Sequence, residues 1–317
     1  MQFAGMLLLS GLGLAQGTAV QAVGVAAATL EEVQVAGERP GPGLWRISRG
    51  THTLYLLGTL TPLPRKIIWR SREVERVLSQ AQAFIPERPS VDVKAGPITA
   101  IRLYTQWRRE RNNPNGATLS QILPPELHAR FAALRLKYAP RDSSLEVRRP
   151  LLAAASLYDK ALERSGLRLA GDVGKAVRRL AEKQRVPVIE IQQRLDDPRG
   201  ALAQLGNIAP QAEQACLAAT VARLETDLEP MRLRAQAWAV GDVATLRTQP
   251  AIDQETACWG AVNSAPRLAE LRRDFDLRWL DAAIKSLEAN SVTLAVVPIS
   301  RLLERDGVLD KLSSRGY

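Results

Sequence analysis

The sequence predicts an α/β (α+β) fold: a mixed β-sheet core formed by N- and C-terminal strands, with a large helical region between them. Three observations lead there. Leu44-Trp45-Arg46-Ile47 and Thr53-Leu54-Tyr55-Leu56-Leu57 flank the turn Ser48-Arg49-Gly50-Thr51 with alternating apolar residues, which is a hairpin pattern. Near the other end, Ser291–Val297 ("SVTLAVV") is a continuous apolar run, as expected of a strand covered on both faces. From about residue 97 to 286 the apolar period is mostly helical.

The first 28 residues carry no charge, and an apolar core from Met6 to Ala15 is followed by small residues up to Ala28. This predicts a secretory signal peptide over 1–28, cleaved after Ala22 or Ala28. The run is too short and too rich in glycine for a transmembrane helix. The expected location is therefore periplasmic or secreted. Residues 29–42 form a polar lead-in with a possible edge strand at Val33–Val35. One domain is expected over 43–317, with the helical insertion at about 97–286.

After the hairpin, Ser71–Gln82 places Val74, Val77, Leu78 and Ala81 at helical spacing behind a capping serine. Ala83-Phe84-Ile85-Pro86 then reads as a core strand ending at Glu87. The helical region includes Pro124–Tyr138, Pro150–Arg164 and Val173–Arg185, then a short strand at Val186–Ile191. Further helices are expected at Pro198–Leu205, Pro210–Asp227, Met231–Val240, Val243–Arg247, Asp253–Asn263 and Ala265–Asn290. Gly241 stops one of these and Asp242 caps the next. After the last strand, Leu302–Leu312 reads as a single helix.

Of 317 residues, 46% are hydrophobic but only 5% aromatic, so the core must be built from Leu, Val, Ile and Ala. The net charge of +10 fits an anionic partner. Arg and Glu are interleaved through most of the chain, however, which describes solvated helix faces more economically. Nucleic acid would suit the charge but not the exported compartment. Two basic stretches, Arg65–Arg76 and Ile101–Asn113, mix cations with Trp69, Tyr104 and Trp107, a combination that recognises acidic sugars or phosphates. The plainer reading is a solvated face with one buried ring. Cys216 and Cys258 form an even pair in an exported chain, which predicts a disulfide.

Three stretches, taken in chain order, resemble the TraB/PrgY/GumN family, and in particular its GumN-like bacterial members. Animal relatives of this family include Wnt-inactivating membrane metalloproteases of the TIKI type. "LWRISRGTHTLYLLGTLTPLP" resembles the family's opening hairpin and its Gly-x-x-His loop. "VERVLSQAQAFIPE" resembles its helix and glutamate-terminated strand, and "TLAVVPISRLLERDGVLDKLSSRGY" its closing strand, second Gly-x-x-His loop and final helix. The helical middle, with "RLETDLEPMRLRAQAWAVGD" and "DQETACWGA", is similar to GumN-type members as well. The resemblance covers about residues 43–317 and implies a metal-dependent hydrolase.

At both family histidine positions this sequence departs. Thr61 stands at the first, and Arg301 at the second with Pro298 in place of its glycine. The acidic position survives as Glu87. Only His52 and His128 exist in the chain. His52 lies six residues before Gly58, roughly 20 Å along an extended strand. A guanidinium beside Glu87 repels a divalent cation and takes its place, so the resemblance leads us to expect a Glu87–Arg301 ion pair and no metal.

The expected pocket is lined by Gly58, Thr59, Thr61, Glu87, Ser300 and Arg301, with Arg65 adding positive charge. Thr59, Thr61 and Ser300 are candidate nucleophiles, with Glu87 the sole candidate base. The leading expectation is an exported binding protein or pseudo-enzyme without cofactor, taking a peptide or an anionic saccharide. The alternative is a hydrolase, either metalloprotease-like with a divalent metal or dependent on Glu87, acting on a peptide or envelope substrate. The sequence leaves the ligand and the oligomeric state open.

Overall fold

The computed structural model describes residues 41–317 except 66, 93–95, 170–171, 227 and 249–252. The expected signal peptide and the edge strand at Val33–Val35 lie outside the described residues.

Strands β1 (Leu44–Arg49), β2 (His52–Thr59), β3 (Ala83–Ile85) and β4 (Val292–Pro298) form one sheet in the order β1-β2-β4-β3. β1 and β2 are the expected hairpin, antiparallel, turning through Gly50 at φ +58°. β2 and β3 both run parallel to β4, so the sheet is mixed. The last strand of the chain therefore sits between two of the first, which ties the termini of the domain together.

Both faces of the sheet are covered, which explains why β4 reads as an unbroken apolar run. On one face Leu57, Phe84, Leu294 and Val296 pack on α1 (Arg72–Leu78), on Val173, Val177 and Ala181, and on Trp238. On the other, Leu54, Leu56, Ile85, Ala295 and Val297 pack on Trp279, Leu280, Ala283 and Leu287. The alternation follows from the two-residue repeat of a strand.

The region between is helical. Among its elements are α2 (Pro97–Glu110), α3 (Pro125–Tyr138), α4 (Pro150–Arg164), α5 (Asp172–Lys183), α6 (Pro198–Ala203), α7 (Pro210–Thr226), α8 (Leu228–Ala239), α9 (Asp253–Asn263) and α10 (Pro266–Ala289). A second core, away from the sheet, joins Phe131, Leu134, Leu157, Leu162, Leu217 and Val221. Cys216 of α7 and Cys258 of α9 form the expected disulfide there, with Cα atoms 4.5 Å apart. Asp242 caps its helix as expected, accepting from Thr245 N–H at 2.9 Å, after Gly241 at φ +73°.

Several local expectations are corrected. Ser71 precedes α1 but makes no capping bond; its hydroxyl goes to the Glu75 carboxylate instead. The strand expected at Val186–Ile191 is reduced to a bridge between Val188 and Phe84, because Pro187 has no N–H to extend a ladder. The helix expected over Leu302–Leu312 is two, α11 (Ile299–Leu303) and α12 (Val308–Ser313). They are separated where Gly307 passes so near the preceding turn that a Cβ would stand 2.5 Å from the Arg301 carbonyl oxygen. Among the described residues no helix is long and apolar enough to cross a membrane.

Candidate functional site

The carboxyl ends of three parallel strands meet at one edge of the sheet. Register places Gly58 beside Val297 and Thr59 beside Pro298, and Ile85 beside Ala295 on the far side of β4. Pro86 and Glu87 continue past the end of β3. From there the Glu87 carboxylate reaches across the end of β4 to Thr59. Thr59 Oγ1 donates to Glu87 Oε2 at 2.9 Å, with the Val297 carbonyl a longer contact at 3.4 Å. Thr59 is 5% exposed, whereas Glu87 is half-buried and opens toward solvent. The first turn of α5 closes one side, since a Cβ on Gly174 would stand 3.6 Å from Glu87 Oε2.

Two buried indoles hold the strand ends in place. Trp238 Nε1 donates to the Gly58 carbonyl at 2.7 Å, and Trp279 Nε1 to the Pro86 carbonyl at 3.1 Å. Without them two strand-end carbonyls would be buried with no donor, at a cost of about 1–3 kcal/mol each. Gly58 serves packing. A Cβ there would lie 3.0 Å from Ile299 Cγ1 and from Trp45 Cζ3, and 3.1 Å from Leu302 Cδ1. The absence of a side chain lets α11 fold back directly over the strand.

The other expected site residues separate. Thr61 is exposed beyond the strand end. Arg65 turns away to Glu163 of α4 at 3.4 Å, and its N–H donates to the Gly166 carbonyl. Ser300 is exposed on α11. Arg301, only 17% exposed at its side chain, pairs with Asp276 of α10 at 2.9 Å. The expected Glu87–Arg301 pair is thus replaced by Thr59–Glu87 and Asp276–Arg301. Geometry decides this: the Arg301 guanidinium finds a carboxylate on the packed face of α10, while Glu87 is already served by a neighbouring strand. Beside Arg301, burial raises the Glu304 carboxyl above its ordinary range, an effect opposed by the charges of Arg301, Lys311 and Arg272.

Neither histidine belongs to this edge. His52 lies at the opposite end of β2, its Nδ1 hydrogen-bonded to the Leu287 carbonyl at 3.0 Å. His128 of α3 contacts Glu146 at 3.2 Å. Among the described residues no group of three or more His, Cys, Asp or Glu side chains is placed to hold a metal ion. A threonine hydroxyl, one carboxylate and a guanidinium already paired with Asp276 do not fit a divalent cation.

Sequence reasoning missed Asp276, Gly174, Trp238 and Trp279. Asp276 carries no signal, since a carboxylate in "RRDFDLRW" looks like any surface charge. The tryptophans did carry one: an indole on the apolar face of a helix needs an acceptor for its N–H.

A profile described as the TraB/PrgY/gumN family matches residues 43–317. Neither the curated proteins nor the solved structures include a match.

Proposed function

The chain belongs to the TraB/PrgY/gumN family, and from that premise we propose that it is an exported member working as a binding protein or pseudo-enzyme without a metal. One observation carries this reading. Of the three positions at which the resemblance implies metal ligands, Thr61 is exposed, Glu87 accepts from Thr59, and Arg301 is paired with Asp276. The strand-end edge then offers the free face of Glu87 beside Thr59. Such a surface suits a peptide or a hydroxyl-bearing ligand. The uncharged leader at 1–28 and the disulfide support export to the periplasm or beyond.

The test is metal binding by the purified protein, with zinc, manganese and cobalt titrated by calorimetry beside elemental analysis. The expected result is no stoichiometric binding. Tight binding that Glu87→Ala abolishes would overturn the reading.

A second reading has one observation in its favour. The 2.9 Å Thr59–Glu87 contact has the spacing of a nucleophile and its base, which would make a Glu87-dependent hydrolase of a peptide or envelope substrate. The burial of Thr59 weighs against attack by its oxygen, leaving Glu87 to act on a water. Glu87→Gln separates the readings: a hydrolase loses turnover, whereas a binder keeps its ligand.

A further inference from the structure

The cleft between α2 and α6 lies apart from the strand-end edge. It is lined by Arg102, Thr105, Gln106 and Arg109 of α2 and by Arg199 of α6, around about 410 Å³. Spacings of four and three residues put Arg102, Gln106 and Arg109 on one side of α2. Gln106 Nε2 donates to the Arg199 carbonyl at 2.9 Å and binds the two helices together. Three guanidinium groups are thereby brought to one opening. Among the described residues only Arg109 of the three has a carboxylate partner, Glu110 at 3.0 Å. Three guanidinium groups with one counter-charge at one opening make a positive surface that attracts anions.

The cleft also supplies an acceptor. Thr105 spends its proton on the Arg102 carbonyl at 2.9 Å, leaving its oxygen to accept. A bare oxyanion would use the guanidinium donors and leave this acceptor idle. A ligand that carries hydroxyl donors beside its anionic group uses both. Ile98 and Ile101, on the same helix, are 66% and 65% exposed.

We propose that this cleft binds an anionic saccharide, a glycan bearing carboxylate or phosphate groups. Arg102 and Arg199 hold the anion in bidentate fashion, and Thr105 accepts from a ring hydroxyl. The proposal stands independently of the Thr59–Glu87 edge.

The experiment is calorimetric titration of the purified protein with trigalacturonate, its methyl ester, inorganic phosphate and phosphatidylglycerol vesicles. Trigalacturonate is expected to bind, and the methyl ester to bind at least about tenfold more weakly. Arg102→Ala with Arg199→Ala is expected to lose about tenfold or more, the scale of one charge-assisted hydrogen bond. Arg102→Lys with Arg199→Lys keeps the charge and loses the planar fork, so a partial loss is expected. Arg46→Ala with Arg315→Ala removes equal charge elsewhere and should leave binding unchanged. All four side chains are exposed, and thermal melts check that each variant folds. Absence of trigalacturonate binding at millimolar concentration overturns the proposal, as does binding indifferent to the Arg102/Arg199 pair. Equal affinity for inorganic phosphate would reduce the cleft to a simple oxyanion site. Vesicle binding that needs both arginines and ignores trigalacturonate would assign it to a membrane surface instead.

Discussion

Thr59 and Glu87, 28 residues apart in sequence, meet at 2.9 Å across the end of the central strand β4. The hydroxyl of one strand end donates to the carboxylate that follows another. This contact fixes where the acidic side chain points, and with it the chemistry open to the strand-end edge. Thr59→Val removes the donor and keeps the shape. It is expected to cost about 1.5–3 kcal/mol, the range for hydrogen bonds to charged groups. Urea denaturation measures it, and Glu87→Gln in the Thr59→Val background should add little more if the two act as one unit.

Gly58→Ala is expected to destabilise by about 1–3 kcal/mol through overpacking. The new methyl meets Ile299 and Trp45 at 3.0 Å, and neither can withdraw without moving α11 or β1. Near-ultraviolet circular dichroism should report the disturbed Trp45. Unchanged stability would mean that α11 is loosely held.

Trp238→Phe keeps most of the apolar volume and deletes the N–H that serves the Gly58 carbonyl. A loss of about 1–3 kcal/mol is expected from the orphaned carbonyl plus the smaller ring. Amide exchange should then quicken at the carboxyl end of β2 before it quickens at β1.

Replacing Cys216 and Cys258 by alanine opens a link between positions 42 apart in sequence. A loss of about 2–5 kcal/mol is expected, seen as a lowered midpoint in non-reducing urea titration. Dithiothreitol should reproduce it in the parent protein and leave the variant unaffected.

Glu213, 2% exposed, is held by Arg149 in the helical core. Burial raises its carboxyl above the ordinary range, and Arg149 offsets only part of this. The folded state therefore binds this proton more readily than the unfolded state does. By linkage its contribution to stability is greatest below the unfolded carboxylate pKa and falls as pH rises through the folded one. Relative to Glu213→Gln, the parent should gain stability as pH is lowered from neutrality into the carboxylate range. Arg149→Ala should cost about 3–5 kcal/mol at neutral pH, because it leaves a buried carboxylate without its partner.

Much of the fold was legible because it rests on periodicity. The hairpin at β1 and β2, the apolar run of β4 and the helices at Pro150–Arg164 and Asp253–Asn263 each follow from the spacing of their own apolar residues. The Cys216–Cys258 disulfide followed from pairing the two cysteines of a chain expected to be exported. Less of the site was legible. Gly58, Thr59 and Glu87 were placed at the strand ends, and Thr59 and Glu87 do meet. The partner of Arg301 was misread, because Asp276 lies 25 positions earlier on α10 and nothing local distinguishes it from its neighbours.

By itself, then, the sequence determined most of the elements and the family. Tertiary structure alone decided which charges pair and which carbonyls are capped. Apolar periodicity is a short-range property, written within a few residues of where it acts. An ion pair or an indole hydrogen bond depends on the angle at which two distant elements pack. That angle is set by the whole core: Trp238 reaches Gly58 and Asp276 reaches Arg301 only because α8 and α10 are laid down on opposite faces of one sheet.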